Sequence, residues 1–245
     1  MKPIRIEILG IPVDCVDMAG ARQAIAQIID GDCPQAVIAV NPEKVIKAQS
    51  DKNLRDQLRN AGLLIPDGIG IVLAATILGL GKMRRVPGSE LMPEICQIAA
   101  QKGRGVFLFG AAPDVNESVA VELTKRYPTI VIAGRQHGYV RDNEMEEVVN
   151  RINDSRAQVL FIALGSPRQE QWMGAHMHKL KHVSVVQGVG GTFDVIAGRV
   201  KRAPSLFLRL NLEWLYRLLA QPQRILRQTA LPRFVYRVMK QRIFG

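Results

Sequence analysis

Three kinds of residue in this 245-residue chain could do chemistry. The first is a carboxylate at a turn. Leu63 to Ile65 is an apolar approach that runs into Pro66-Asp67-Gly68-Ile69-Gly70. Proline fixes its own φ, and the glycines let backbone come close to a ligand or another element. Asp67 therefore stands just ahead of an apolar helix expected to reach about Leu80, where the helix dipole favours its ionised form. It suits a general base, and it equally suits a turn and N-cap residue. The second kind is the glycine-rich strand end. Phe109-Gly110-Ala111 and Gly188-Val189-Gly190-Gly191 could present backbone N–H groups to phosphates, or simply turn the chain tightly. The third is Asp30-Gly31-Asp32, a spacing that can hold a metal on a nucleotide diphosphate. It lies between a helix and a strand in loop-like sequence, which favours a solvated turn.

Other chemistries find no support. No Walker A pattern and no Gly-x-Ser-x-Gly elbow occurs, and neither glycine turn is a full dinucleotide fingerprint. His176 and His178 are two apart on an expected helix and point in different directions. Cys15, Cys33 and Cys96 are single and odd in number, so no disulfide framework or metal spacing is expected, and a reducing compartment is.

The elements that must position these residues alternate. Strands are expected at Ile4–Val16 (two, joined by a turn), Ala36–Val40, Leu63–Ile65, Val106–Phe109, Thr129–Ala133, Val159–Leu164 and Val183–Val186. Helices are expected at Met18–Ile29, from Pro42 to about Leu58, at Ser89–Gln101, from Pro113 to Tyr127, at Glu144–Ile152 and after Pro167. Asn41 reads as the cap of the Pro42 helix, with proline at its first position. This order means a mostly parallel, Rossmann-like α/β sheet with helices on both faces. Ligands of such sheets sit beyond the carboxyl ends of the strands. Asn41, Asp67, Gly110, Tyr139, Gln169 and Gly190 all fall at those ends, which points to one shared site.

Charge divides the chain. Of the 33 Lys/Arg, eleven fall in 199–245 beside one acid, so this segment carries +10 of the net +11. We read residues 1–198 as the α/β domain and 199–245 as a basic helical appendage. In the appendage Arg209, Arg217, Arg224 and Arg227 would share one quarter of a helix surface, interrupted by Pro222, and Arg233, Arg237 and Lys240 follow at i, i+4, i+7. Such a basic, apolar segment suits an anionic membrane surface, or a helix docked on its own core with a solvated basic face. A nucleic-acid role lacks a recognition motif, and the near-neutral body is not a basic groove. The start of the chain leads straight into a strand, with no signal peptide expected. The longest apolar run, Ile69 to Leu80, is short of the ~20 residues a membrane-spanning helix needs.

Taken together, Asn41-Pro42-Glu43, Pro66-Asp67-Gly68, Arg85-Val86-Pro87-Gly88-Ser89, Leu108-Phe109-Gly110, His137-Gly138-Tyr139, Leu164 to Glu170, Gly188 to Asp194 and Arg202-Ala203-Pro204 resemble the WecG/TagA/CpsF family of glycosyltransferases over nearly the whole length. The resemblance implies an inverting transferase that needs no metal or cofactor. Its donor would be a UDP-sugar, N-acetylmannosamine in the well-studied branch and N-acetylmannosaminuronic acid, glucose or others elsewhere. Its acceptor would be undecaprenyl-diphosphate-linked N-acetylglucosamine, attacked through the 4-hydroxyl. It assigns Asp67 as base, Arg85 to the acceptor, and Asn41 and Gln169 to the lining of the site. Gly110, Ala111, Tyr139, Gly190, Gly191, Phe193 and Asp194 would contact substrate, and Arg217, Arg224 and Arg227 would reach the diphosphate. It also implies a cytoplasmic protein, peripheral on the inner face of the membrane, with self-association left open. Two positions depart from the family pattern: Ala39 stands where many relatives have threonine, and Asn211 where a glycine is usual.

Overall fold

The computed structural model describes residues 3–200, 203–204, 207, 215–216, 218 and 229–244. In chain order its elements are β1 (Arg5–Ile8), β2 (Ile11–Asp14), α1 (Met18–Ile28), β3 (Gln35–Val40), α2 (Pro42–Ala48), α3 (Lys52–Asn60), β4 (Leu63–Pro66), α4 (Ile69–Ile77), α5 (Gly88–Gln101), β5 (Gly105–Gly110), α6 (Pro113–Arg126), β6 (Val131–Gln136), α7 (Met145–Asp154), β7 (Val159–Ala163), α8 (Arg168–His176), β8 (Val185–Gly188), α9 (Thr192–Ile196) and α10 (Ala230–Phe244). Strands β3 to β8 form one parallel sheet in the order β4-β3-β8-β7-β5-β6, and β1 and β2 form a separate antiparallel hairpin.

The inner strands are largely apolar, and β7, Val159-Leu-Phe-Ile-Ala, is apolar on every residue, because both sheet faces are covered. Period-two alternation sorts their side chains between two cores. Ile38, Phe109, Leu160 and Val186 pack under α2, α3, α4, α7, α8 and α10. Val37, Leu108, Phe161 and Val185 pack under α1, α5, α6 and α9.

Three of the boundaries that differ from the sequence expectation have a clear local cause. The helix expected from Pro42 to Leu58 is two helices, because Asp51 restarts it as a cap, accepting from Leu54 N at 3.0 Å. Helix α4 stops at Ile77, not Leu80. Gly79 takes φ 70°, Gly79 N donates to Thr76 O and Leu80 N to Ala75 O, the paired bonds of a Schellman end. Strand β6 runs later than Thr129–Ala133 and includes Gly134, whose missing side chain makes room for the Phe107 ring.

The hairpin braces the sheet edge. Asp14, fully buried, accepts from Arg5 Nε at 2.7 Å and Nη2 at 3.0 Å, and from the β4 amide of Leu64 at 2.8 Å. It thereby fixes the strand that delivers Asp67. Helix α10 docks on α2 and α4 through Phe234 and Val238, and Gln241 Oε1 accepts from Leu9 N at the hairpin tip. Of the two readings of the basic segment, docking on its own core is thus realised for α10. Most of the stretch from Phe207 to Leu219, with the interruption expected at Pro222 and with Arg217, Arg224 and Arg227, lies outside the described residues.

Candidate functional site

The carboxyl end of β4 is held on both sides. Asp67 N donates to Val40 O at 2.8 Å, extending the β3–β4 ladder by one residue, and Val86 N donates to Pro66 O at 2.8 Å. Asp67 and Arg85 therefore flank one short stretch of paired backbone, and both are partly buried. The cap position of α4 belongs to Gly68, at φ 99°, and not to Asp67. Asp67 is therefore not the N-cap residue that the sequence also allowed. At the next strand end Asn41 caps α2, its Oδ1 accepting from Lys44 N at 2.8 Å. Gly70 of α4 lies against Pro42, close enough that a Cβ would meet Pro42 Cγ at 2.7 Å. The Asn41 and Asp67 turns are neighbours because of that close approach.

In the middle of the sheet, Gln169 is buried and its amide is used at both ends. Its Oε1 accepts from Gly190 N at 3.1 Å and its Nε2 donates to Glu170 Oε1 at 3.2 Å. Glu170 Oε1 also takes Lys44 Nζ at 3.0 Å, with side chains only 4% and 10% exposed respectively. Burial pushes the Glu170 carboxyl up, but the Lys44 charge and the hydrogen bonds from Lys44 and Gln169 outweigh it and hold the group below its ordinary value.

On the far side, Gly110 has φ 114° and sits so close to β7 that a Cβ would meet the Ala163 carbonyl carbon at 2.5 Å. Only glycine fits. Ala111 N donates to Ala163 O at 2.9 Å, and Gly138 N to Ala111 O at 2.8 Å, which folds the Tyr139 turn over the β5 end. The chain leaves β5 towards β6 and leaves β7 towards β8, in opposite directions along the sheet. The pair β5/β7 is thus the switch point of the sheet, beyond whose carboxyl ends open α/β sheets bind ligands.

The structure thus brings Asp67, Arg85 and Asn41 together at β4 and β3, Gln169 and Gly190 at β7 and β8, and Gly110 and Ala111 at β5. Tyr139 stands at the rim, largely exposed. Several expectations change. The amides of Ala111 and Gly190, expected to face phosphate, are taken by Ala163 O and Gln169 Oε1. Phe193, expected to touch substrate, has 0% exposure and lies in the core under α9, so its side chain packs that helix in place. Asp194 and Gly191 stay at the surface beside each other, a Cβ on Gly191 lying 3.6 Å from Asp194 Oδ2. Asp30 pairs with Lys102 and with Arg104 (3.1 Å), at the amino ends of β3 and β5. Those charges and hydrogen bonds hold its carboxyl below the ordinary value. The Asp30-Gly31-Asp32 turn is therefore at the opposite end of the sheet from the site. Among the described residues no His/Cys/Asp/Glu group has a metal-holding arrangement.

Two participants escaped the sequence reading. Lys44 sits in the first turn of α2, where the helix dipole disfavours a cation; that local conflict was the available signal for a buried partner. Gln187 interrupts the apolar β8 and is 1% exposed. Its Nε2 donates to Gly88 O at 3.2 Å and so ties the start of α5 to the sheet.

With the geometry in place, the chain can be compared with known proteins. Residues 6–245 match the sequence model of the glycosyl transferase WecG/TagA/CpsF family. Among similar curated proteins, a Bacillus subtilis (strain 168) protein is 37% identical over 214 residues, covering 87% of this chain and 82% of its own length. One from Staphylococcus aureus (strain MRSA252) is 35% identical over 238 residues, covering 96% and 92%. One from Bacillus spizizenii (strain ATCC 23059 / NRRL B-14472 / W23) is 38% identical over 207 residues, covering 83% and 78%. All three are named N-acetylglucosaminyldiphosphoundecaprenol N-acetyl-beta-D-mannosaminyltransferase.

Proposed function

The chain belongs to the WecG/TagA/CpsF family of glycosyl transferases, and from that premise we propose that it transfers N-acetylmannosamine from a UDP-activated donor to the 4-hydroxyl of undecaprenyl-diphosphate-linked N-acetylglucosamine. The observation that carries this reading is the convergence of Asp67, Arg85 and Asn41 on one corner of the sheet. There Asp67 follows the end of β4 and leaves the cap of α4 to Gly68.

In the proposed reaction the acceptor oxygen attacks the anomeric carbon from the face opposite the diphosphate. Its proton passes to the Asp67 carboxylate as the new C–O bond forms. The bond from the anomeric carbon to the phosphate oxygen breaks, and its electron pair leaves with UDP. Arg85 orients the acceptor, and Asn41 lines the same corner. The growing diphosphate charge falls to Arg217, Arg224 and Arg227 of the appendage, as the family resemblance implies.

Strand spacing sets the layout. From β4 to β7 is three spacings, about 14 Å, and to β5 about 19 Å. A nucleotide-sugar has base, ribose, diphosphate and hexose in series, so it runs across the strand ends. Its uridine sits at the β5/β7 switch point and its sugar by Asp67.

Residues 199–245 are read as the membrane-facing appendage, on the inner face of the cytoplasmic membrane. Support comes from α10. Val235, Met239 and Ile243 form an exposed apolar stripe beside exposed Arg233, Arg237 and Lys240, and α4 adds exposed Leu73 and Ile77. Among the described residues no helix is long and apolar enough to cross a membrane.

The reading is tested by incubating the full chain with single UDP-sugars and a short-chain lipid-linked N-acetylglucosamine, then following products by mass spectrometry. The expected product has one added N-acetylmannosamine. Transfer of a different sugar from its UDP form would replace the donor assignment, and no transfer from any would overturn the reading.

A further inference from the structure

A charged pair buried 126 residues apart in sequence links three parts of the site, and no part of the transfer chemistry above uses it. Lys44 Nζ and Glu170 Oε1 are 3.0 Å apart, with 10% and 4% side-chain exposure. Lys44 follows Asn41 by three residues, and its own backbone N–H is the one that Asn41 caps. Glu170 neighbours Gln169, and the carboxylate oxygen that takes Lys44 also accepts from Gln169 Nε2 at 3.2 Å. This fixes which way round the Gln169 amide lies. Its oxygen must then face Gly190 N, the bond seen at 3.1 Å. The contact is tight, since a Cβ on Gly188 would meet Gln169 Nε2 at 2.6 Å. An unbroken chain thus runs from Asn41 at the end of β3, through Lys44, Glu170 and Gln169, to the glycine turn that ends β8.

We propose that Lys44 and Glu170 are positioning residues for glycosyl transfer: the pair orients Gln169, and Gln169 clamps the Gly188–Gly191 turn relative to the Asn41–Asp67 corner. The alternative is a pair that merely joins α2 to α8. Energetics argue against that alternative being sufficient. A buried ion pair is weak as glue, because the desolvation of two charges offsets their attraction, and an apolar pair of similar volume often does as well or better. What an apolar pair cannot do is accept a hydrogen bond from Gln169 and so select its amide orientation. Glu170 stays ionised through this arrangement, since the Lys44 charge and hydrogen bonds outweigh the effect of burial.

The proposal rests on the transferase reading of this corner, and the test separates the two. Purified full-length chain is compared with Glu170→Met, with Lys44→Met/Glu170→Met and with the charge-reversed Lys44→Glu/Glu170→Lys. Melting temperature, kcat and donor KM are measured for each. The single variant strands Lys44 and should lose both stability and activity. The double methionine variant should regain the melting temperature yet keep a kcat about 10²-fold below wild type, the usual loss for a misplacement of about 1 Å, with donor KM little changed. The charge-reversed pair restores an ion pair but faces Gln169 Nε2 with an ammonium, so it should also fold and remain slow. A double methionine or charge-reversed variant that is folded and has wild-type kcat would reduce the pair to glue and overturn the proposal. So would failure of both double variants to fold, since the pair would then be a folding element. Inactive wild type would instead sink the transferase reading, leaving the geometry of the pair as a structural fact.

Discussion

Replacing Asp67 by asparagine separates its chemical role from its structural one, because other groups hold the turn. The backbone N–H of Asp67 holds Val40 O, the adjacent Pro66 O takes Val86 N, and Gly68 occupies the cap position of α4. None of these needs a carboxylate. Asparagine keeps the size and one carbonyl oxygen that can still accept a hydrogen bond, so the change in folding free energy should stay near the ~1 kcal/mol typical of single substitutions. The loss of a general base costs about 10²–10⁴-fold in kcat. At about 1.36 kcal/mol per decade that is roughly 2.7–5.4 kcal/mol of transition-state stabilisation. The catalytic loss thus exceeds the expected stability change severalfold, and the two cannot be confused. Release of UDP in the presence of acceptor gives kcat, thermal unfolding gives stability, and calorimetric titration with UDP shows whether donor binding is intact. The expected result is a folded, UDP-binding, slow enzyme. Near-normal turnover would refute the base assignment and return Asp67 to the role of a turn residue.

Four other outcomes follow from particular contacts. Gly110→Ala forces a Cβ to within 2.5 Å of the β7 backbone at φ 114°, so strain and overpacking should lower stability by about 2–5 kcal/mol in denaturant titrations. Because Asp30 lies at the amino end of the sheet and pairs with Lys102 and Arg104, Asp30→Asn/Asp32→Asn and added EDTA should each leave transfer rates within a factor of about two, as for surface changes away from a site; loss of activity restored by Mg²⁺ would contradict this. The depressed Glu170 carboxyl contributes stability that is complete above its ordinary value of 4.5 and is lost as pH falls through the lower folded value. The stability gap between wild type and Glu170→Gln should accordingly be constant above about pH 5 and shrink in acid. Val235→Asp/Met239→Asp/Ile243→Asp removes the exposed stripe of α10 without touching buried Phe234 and Val238. Sedimentation with anionic vesicles should weaken at least about tenfold, since one buried apolar side chain alone contributes roughly 1.5–3 kcal/mol; unchanged binding would remove α10 from the membrane reading.

The sheet was legible because its inner strands are buried on both faces and its helices carry apolar stripes, so pattern and burial agree. The strand ends were legible for the same reason: once the strands are placed, Asn41, Asp67, Gly110 and Gln169 can only fall at one end. What escaped has a common physical cause. The split at Asp51, the stop at Gly79 and the shift of β6 at Gly134 each turn on one residue whose role depends on a hydrogen bond or a neighbouring ring. Phe193 sits in a motif full of surface residues, but a five-residue helix has few apolar side chains with which to hold the sheet, and α9 uses that one. The glycine amides of the Gly188–Gly191 turn read as open to phosphate until Gln169, nineteen residues before Gly188, proves to occupy one of them.

The layout of the sheet places the proposed base and the proposed membrane-facing helix at one edge. Asp67 leaves β4, the edge strand, and α4 starts two residues later. Helix α10 docks on that same α4 and on α2, whose cap is Asn41. A nucleotide at the β5/β7 switch point would be about 14–19 Å along the sheet from this corner. The donor, a soluble molecule, would therefore arrive from the side away from α10, and a lipid-linked acceptor from the side where α10 and α4 expose Val235, Met239, Leu73 and Ile77. On the proposed reading the two substrates would meet only at Asp67. On this account the buried Lys44–Glu170 pair lies midway between the donor side and the acceptor side, where the two halves of the site must be held in register.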